Sequence, residues 1–305
     1  PYPIIPGHIN VGEIAALGAE VSDVAGQPLR VGQVVTFLDV HETCGRCWYC
    51  TVAHASTRCP SRRVYGITYS ADEGLLGGWS EMIYLKPGVL VLPLPVGVAP
   101  DRFIGAGCGL PTAVHAIERA DIQLGDAVVI QGSGPVGLSA AILAQLKGAT
   151  QVIVIGGPAS RLAEATRIGA DAVIDIGAHG PEERVAMVRE LCGGRGADVA
   201  VEAVGLPATV RLAVASVRKG GSVALVGNVT AEVALGLQTV VTREITLYGS
   251  CASSGEYPAC LEMIARGAIR LEPLITAVCS LEEAPGWFER LYWGESGLMK
   301  IIVRP

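Results

Sequence analysis

Cys44, Cys47 and Cys50 recur every third residue, and Cys59-Pro60 follows after eight more. Four thiols within sixteen positions can enclose one soft tetrahedral ion, for which Zn²⁺ is the usual choice. No residue in this segment is suited to polarising a substrate, so the chemistry expected is structural, a closed site that pins a loop. Two other uses of the same thiols stay open. One is a disulfide pair. The other is an iron–sulfur cluster, because C-x2-C-x2-C with a final Cys-Pro echoes a ferredoxin run, although the last gap is eight rather than three.

A second constellation is Gly132-Ser133-Gly134-Pro135-Val136-Gly137. It follows an apolar strand-like run at 127–130 and precedes a helical pattern at 138–147, the context in which G-x-G-x-x-G binds a dinucleotide. Gly132 permits the tight turn, Gly134 lets the backbone approach a pyrophosphate, and Gly137 lets helix and strand pack closely. Free N–H groups at the helix start then face the anion. An ordinary glycine-rich turn is the alternative. An acidic residue is expected about 20 residues further on to hold the adenosine ribose. Gly156-Gly157-Pro158 stands there instead. With no carboxylate to repel a 2′-phosphate, and Arg161 able to pair with one, the reading leans to NADP and leaves NAD open.

These groups need elements to hold them. Up to about residue 105 the chain reads as short strands with Gly and Pro punctuation, at 34–38, 80–85 and 89–92, without a long amphipathic helix. Beyond Gly109 the texture changes. Non-alternating apolar runs at 127–130, 152–155, 172–174, 198–201, 222–226 and 245–247 are separated by helical segments. Leu138, Ile142 and Leu146 mark one helix face, and Ser160 is a candidate cap for a helix ending at Ile168. Pro181 opens another helix, with Val185, Val188 and Leu191 inward and Gly193 just past its end. Buried strands joined by helices predict a doubly wound α/β domain with a parallel sheet, over residues 110–247. A helix near 257–266 and a strand at 299–303 complete the pattern.

The 305 residues suit two domains, each large enough for its own core. Half the residues are apolar and 17% are charged, which excludes a disordered chain. A net charge of −6 with no basic run argues against a nucleic-acid partner. Apolar runs are broken well before the roughly 18 residues of a membrane span, and no signal peptide is visible, so no membrane is expected. Nine cysteines with no pairing framework suit a reducing, cytoplasmic setting. Pro1 is not an initiator Met, and the expectation is that the chain starts inside a longer product.

Several ordered segments together resemble the zinc-containing medium-chain alcohol dehydrogenases. They are Gly7-His8 with Gly12, the cysteine lobe, Gly77-Gly78-Trp79-Ser80-Glu81, Gly107-Cys108-Gly109 with Thr112-Ala113, the dinucleotide turn, Val201-Glu202-Ala203-Val204-Gly205, Lys219-Gly220-Gly221 and Val226-Gly227. The resemblance spans essentially the whole chain. It implies a Rossmann domain, 110–247, inserted in a GroES-like β-barrel catalytic domain formed by 1–109 and the returning 248–305. It assigns Cys44, Cys47, Cys50 and Cys59 to the structural zinc, with one extra residue in the last gap. It makes His8 and Cys108 two of three ligands of a catalytic zinc. Thr112 would lie near the nicotinamide, Val136 near the pyrophosphate, Val204 on the adenine side, Val226 and Gly227 by the nicotinamide amide, and Lys300 at the pyrophosphate. His41, His54, His115 and His179 lack any such context. Two departures stand out. Ile9 follows His8 where the family has Glu, and the family's first catalytic Cys has no counterpart in the seven residues before His8. The expectation is that an upstream segment supplies it.

The implied function is reversible oxidation of an alcohol, secondary or cyclic, to a ketone or aldehyde with NAD or NADP. A catalytic zinc would bind the substrate oxygen while the carbon gives hydride to C4 of the nicotinamide. The partners would be a small alcohol or carbonyl substrate and further copies of the chain, as a homodimer or homotetramer. Two other readings remain. One is a zinc-independent NADPH quinone or enone reductase of the same superfamily. The other is a non-catalytic dinucleotide-binding protein that keeps only the structural zinc.

Overall fold

Residues 2–18, 20–228, 231–253 and 255–305 are described in a computed structural model; Pro1, Ala19, Val229, Thr230 and Ser254 lie outside the described residues. Contacts divide the chain into two compact units. The first comprises Pro1–Gly107, Ser254–Gly294 and Lys300–Pro305, and the second Cys108–Ser253 and Glu295–Met299.

In the first unit the strands are short: β1 (Gly12–Glu13), β2 (Val34–Phe37), β3 (Val40–His41), β4 (Arg63–Val64) and β5 (Val91–Pro93). They form two antiparallel sheets, ordered β1-β2-β5 and β3-β4. Phe37, Tyr65, Tyr69, Leu76 and Val91 close a core around them. Two tyrosines can be buried here because their hydroxyls are satisfied. Tyr65 accepts from the Lys86 N–H at 2.8 Å, and Tyr69 shares a 2.8 Å bond with His41 Nδ1. The strand expected at 80–85 does not form. The Ser80 hydroxyl donates to the Gly77 and Met82 carbonyls at 2.8 and 2.7 Å, which folds the backbone on itself in competition with a ladder. A one-turn helix, α1 (Trp48–Thr51), lies in the cysteine segment, and α2 (Pro100–Ala106) ends at Gly107, whose φ is +51°.

The second unit opens with α3 (Gly109–Ala120), a helix its sequence does not announce because Gly109 and Pro111 take two of its first three positions. Then β6 (Ala127–Gln131), α4 (Pro135–Leu146), β7 (Gln151–Gly156), α5 (Ala159–Arg167), β8 (Ala172–Asp175), α6 (Pro181–Leu191), β9 (Ala197–Glu202), α7 (Pro207–Ser216), β10 (Val217–Leu225), α8 (Leu237–Thr242) and β11 (Thr246–Gly249) alternate. The six strands are parallel, in the order β11-β10-β9-β6-β7-β8. This is the doubly wound order, with its switch point between β6 and β9. Val128, Val129, Ile130, Val152, Ile153 and Val154 are wholly buried, as strands covered on both faces require.

Three local expectations change. Pro158, not Ser160, precedes α5 as its cap residue, so the helix begins at Ala159, two residues earlier than a Ser160 cap would set it. On α4, Leu146 is 53% exposed because burial ends at Ala144. On α6 the buried residue is Val188, joined one turn on by Cys192 just past the helix end, and Leu191 is exposed. The first unit resumes with α9 (Tyr257–Ala265), β12 (Ile275–Cys279), α10 (Ala284–Tyr292) and β13 (Lys300–Val303), the two strands pairing in parallel. No helix among the described residues is long and apolar enough to cross a membrane.

Candidate functional site

The loop after β3, α1 and the 3-10 turn Ser56–Arg58 bring Cys44, Cys47, Cys50 and Cys59 together, with all four Sγ atoms within 4.8 Å of one another. A tetrahedral ion with bonds of about 2.3 Å needs sulfurs about 3.8 Å apart, and Cys47 Sγ to Cys50 Sγ is 3.5 Å. All nine cysteines are free thiols, which removes the disulfide alternative. The narrow spread suits one ion bonded to four sulfurs and leaves no room for a multi-iron cluster. Backbone N–H groups prepare the donors: Cys44 N–H reaches Cys59 Sγ at 3.2 Å, and Cys47 N–H reaches Cys44 Sγ at 3.3 Å. The Arg46 and Cys47 amides pull the Cys44 thiol down to about 6. The Cys44 amide lowers Cys59, whereas burial and then the Cys47 thiol push Cys50 up to about 12. Four thiols this close cannot all ionise unless a cation sits among them. The donor set fits zinc.

The carboxyl ends of the parallel strands gather a second set of residues. Gly132 turns at φ +112° and donates to the Ile155 carbonyl at 2.8 Å. A side chain on Gly137 would run into the Gly132 carbonyl, so only glycine lets α4 come this close. Space beside Gly134 is open, and α4 begins there, where a helix start leaves its first N–H groups outside the i→i−4 ladder. Val204 lies across the turn, its Cγ2 3.0 Å from where a Gly132 side chain would begin. Val136 is half-buried beside Gly109, on the helix that carries Thr112.

One buried group ties two of these loops together. Glu202, at the end of β9, has no exposed surface. Its Oε1 accepts from Val204 N–H, Gly205 N–H and Thr209 Oγ1 at 3.0, 2.9 and 2.7 Å. Its carbonyl accepts from Val226 and Gly227 at 2.9 and 3.0 Å. Gly132, Gly134, Val136, Gly137, Gly156, Val204, Val226 and Gly227 therefore share one end of the sheet. Glu202 stands in the Val201–Gly205 segment of the resemblance without a role of its own, marked only by a charge at the end of an apolar run.

At the end of β7, the Ser133 hydroxyl donates to the Gly157 carbonyl and accepts from its N–H, both at 3.1 Å, and fills the space a side chain on Gly156 would need. Arg161 is half-buried and donates through Nη2 to the Leu298 carbonyl at 2.9 Å, and burial lowers its pKa.

His8 lies in the first unit and Cys108 in the second. The Gly7 carbonyl beside His8 accepts from Gly78 N–H at 2.8 Å and from Asn10 Nδ2 at 3.3 Å, while Trp79 N–H reaches the Pro6 carbonyl at 2.9 Å. The Gly77-Gly78-Trp79 segment thus fixes the backbone that presents His8. Asp39, unremarked in the sequence, is close enough for the His8 charge to act on it: burial raises its carboxyl and His8 pulls it part of the way back. Cys108 caps α3 and Thr112 N–H bonds its carbonyl at 3.2 Å. Lys300 places Nζ 3.1 Å from the Gly105 carbonyl, at the end of α2. His41 bonds Tyr69 and, through Nε2, the Pro87 carbonyl at 3.0 Å.

An alcohol dehydrogenase GroES-like domain model matches residues 1–96, and a zinc-binding dehydrogenase model matches residues 135–266. Sorbitol dehydrogenase of Bacillus subtilis is 30% identical over 305 residues, covering 99% of this chain and 81% of that protein. The 5-exo-hydroxycamphor dehydrogenase of Pseudomonas putida is 33% identical over 320 residues, covering 99% and 84%. A crystal structure of an alcohol dehydrogenase from Thermotoga maritima aligns with a TM-score of 0.89 at 31% identity, covering 100% of this chain and 85% of that one.

Proposed function

We infer that this chain, which belongs to the zinc-containing medium-chain alcohol dehydrogenase family, is an NAD(P)-dependent alcohol dehydrogenase. The observation that carries the reading is the coexistence of a four-thiol lobe fitted to zinc with a glycine turn at the switch point of a doubly wound sheet. Neither the zinc-independent reductase nor the non-catalytic protein is favoured, since the relatives are named as dehydrogenases of alcohols.

The family resemblance supports His8 and Cys108 as ligands of a catalytic zinc. When bound, zinc supplies Lewis acidity that makes an alcohol more acidic. The chain's own part is positional. The Gly7–Gly78 contact supports the backbone at His8, and the turn at Gly107 leads Cys108 into α3. The α4 amides beside Gly134 would hold the pyrophosphate, and Glu202 keeps the loops carrying Val204, Val226 and Gly227 in register. Sorbitol and 5-exo-hydroxycamphor, the substrates in the relatives' names, share a secondary carbinol carbon, which supports a secondary alcohol here. The resemblance also supports a homodimer or homotetramer, and nine free thiols support a cytoplasmic setting.

A panel of secondary alcohols offered to zinc-replete protein is expected to yield reduced cofactor. His8→Ala and Cys108→Ser are expected to lower kcat by about 10³ or more while the lobe zinc and cofactor binding persist. Undiminished turnover in both variants would remove the ligand assignment.

A further inference from the structure

We propose that Asp175, carried by β8 rather than β7, supplies the carboxylate that the end of β7 lacks and so sets a preference for NAD(H) over NADP(H). The proposal rests on the dinucleotide-binding reading above. In a doubly wound domain the residue that holds the adenosine ribose stands at the end of the second strand, here β7. That strand ends in Gly156 and continues into Gly157, and neither brings a side chain. Parallel pairing of β7 with β8 sets Asp175 directly beside Gly156. Asp175 Oδ1 lies 3.7 Å from the point where a side chain on Gly157 would begin. Ordinary bond lengths put the carboxylate oxygens of a glutamate about 3–3.6 Å from its own Cβ. The Asp175 carboxylate therefore lies about as far from residue 157 as a glutamate side chain there would reach.

Its surroundings keep it there and place no cationic partner on it. Oδ1 accepts from Gly177 N–H at 2.7 Å, which pins the side chain at the strand tip. Asp175 is half-buried, and among the described residues no Lys, Arg or His forms an ion pair with it. An unpaired carboxylate in this place can accept from ribose hydroxyls and repels a 2′-phosphate. Arg161, which favours the phosphorylated cofactor, has its Nη2 committed to the Leu298 carbonyl.

The test compares kcat/KM for NAD and NADP, with one secondary alcohol, in the native chain and in Asp175→Asn. Asparagine keeps an oxygen for Gly177 N–H and removes only the charge. The native chain is expected to favour NAD at least about ten-fold, and Asp175→Asn to shrink that ratio by on the order of ten-fold, through a lower KM for NADP and a higher KM for NAD, with Tm little changed. A side chain that merely closes the turn would weaken use of both cofactors equally. NADP used as well as NAD by the native chain, or an unchanged ratio in the variant, overturns the proposal and leaves the dehydrogenase reading intact. Failure to bind NADH or NADPH, followed by nicotinamide fluorescence, would remove both.

Discussion

Glu202 shows how a fully buried carboxylate can be tolerated when three donors converge on one of its oxygens. Truncating it strands those donors, so Glu202→Ala is expected to cost on the order of 2–4 kcal/mol in urea titrations. Glu202→Gln keeps an acceptor there and should cost less than half as much; equal losses would show that the acceptor is unimportant. Cys59 is 1% exposed within the lobe, and Cys59→Ser is expected to release one zinc per chain and lower Tm by about 5–10 °C. Metal analysis with calorimetry checks both halves. The cysteines were legible in the sequence because ligand spacing within sixteen residues is a local property. Asp39, Asp175 and Glu202 were not, because their partners arrive through folding: Gly156 reaches Asp175 by strand register, and Val226 reaches Glu202 from the end of the neighbouring strand β10.

Between residue and fold, β4 and the capped turn Ala71–Glu73 are joined by Arg63, which donates to the Glu73 carboxylate through two nitrogens at 2.6 and 2.5 Å. Arg63, then the Ser70 amide, hold the Glu73 carboxyl down at about 2, against an ordinary 4.5. A depressed pKa stabilises the fold above pH 4.5 and loses that contribution as pH falls toward 2. Tm measured against pH should therefore separate the native chain from Glu73→Gln near neutrality and bring them together in acid. A gap that stayed constant would assign the effect to packing instead. Buried parallel strands were readable as elements because β-branched runs without polar alternation have few other uses. The segment 80–85 misled because its apolar pattern was right and a hydroxyl decided the outcome. The outer faces at Leu146 and Leu191 were misassigned because both leucines lie near helix ends, where cover runs out.

For the whole molecule, the order of motifs along the chain carried more than any motif alone; family models match residues 1–96 and 135–266, and a solved relative aligns over the full chain. Domain type followed from that order. Cofactor preference did not, since Gly156-Gly157 reads as a missing carboxylate until the sheet is assembled. Zinc-dependent hydride transfer is the central claim. Its most direct measurement is mass analysis of the cofactor after incubating zinc-replete protein with a secondary alcohol deuterated at the carbinol carbon, before and after removal of the metal. Deuterium on C4 of the nicotinamide, abolished when zinc is stripped and restored when it is returned, is the predicted result. No label in the cofactor, or transfer that persists without zinc, would contradict it.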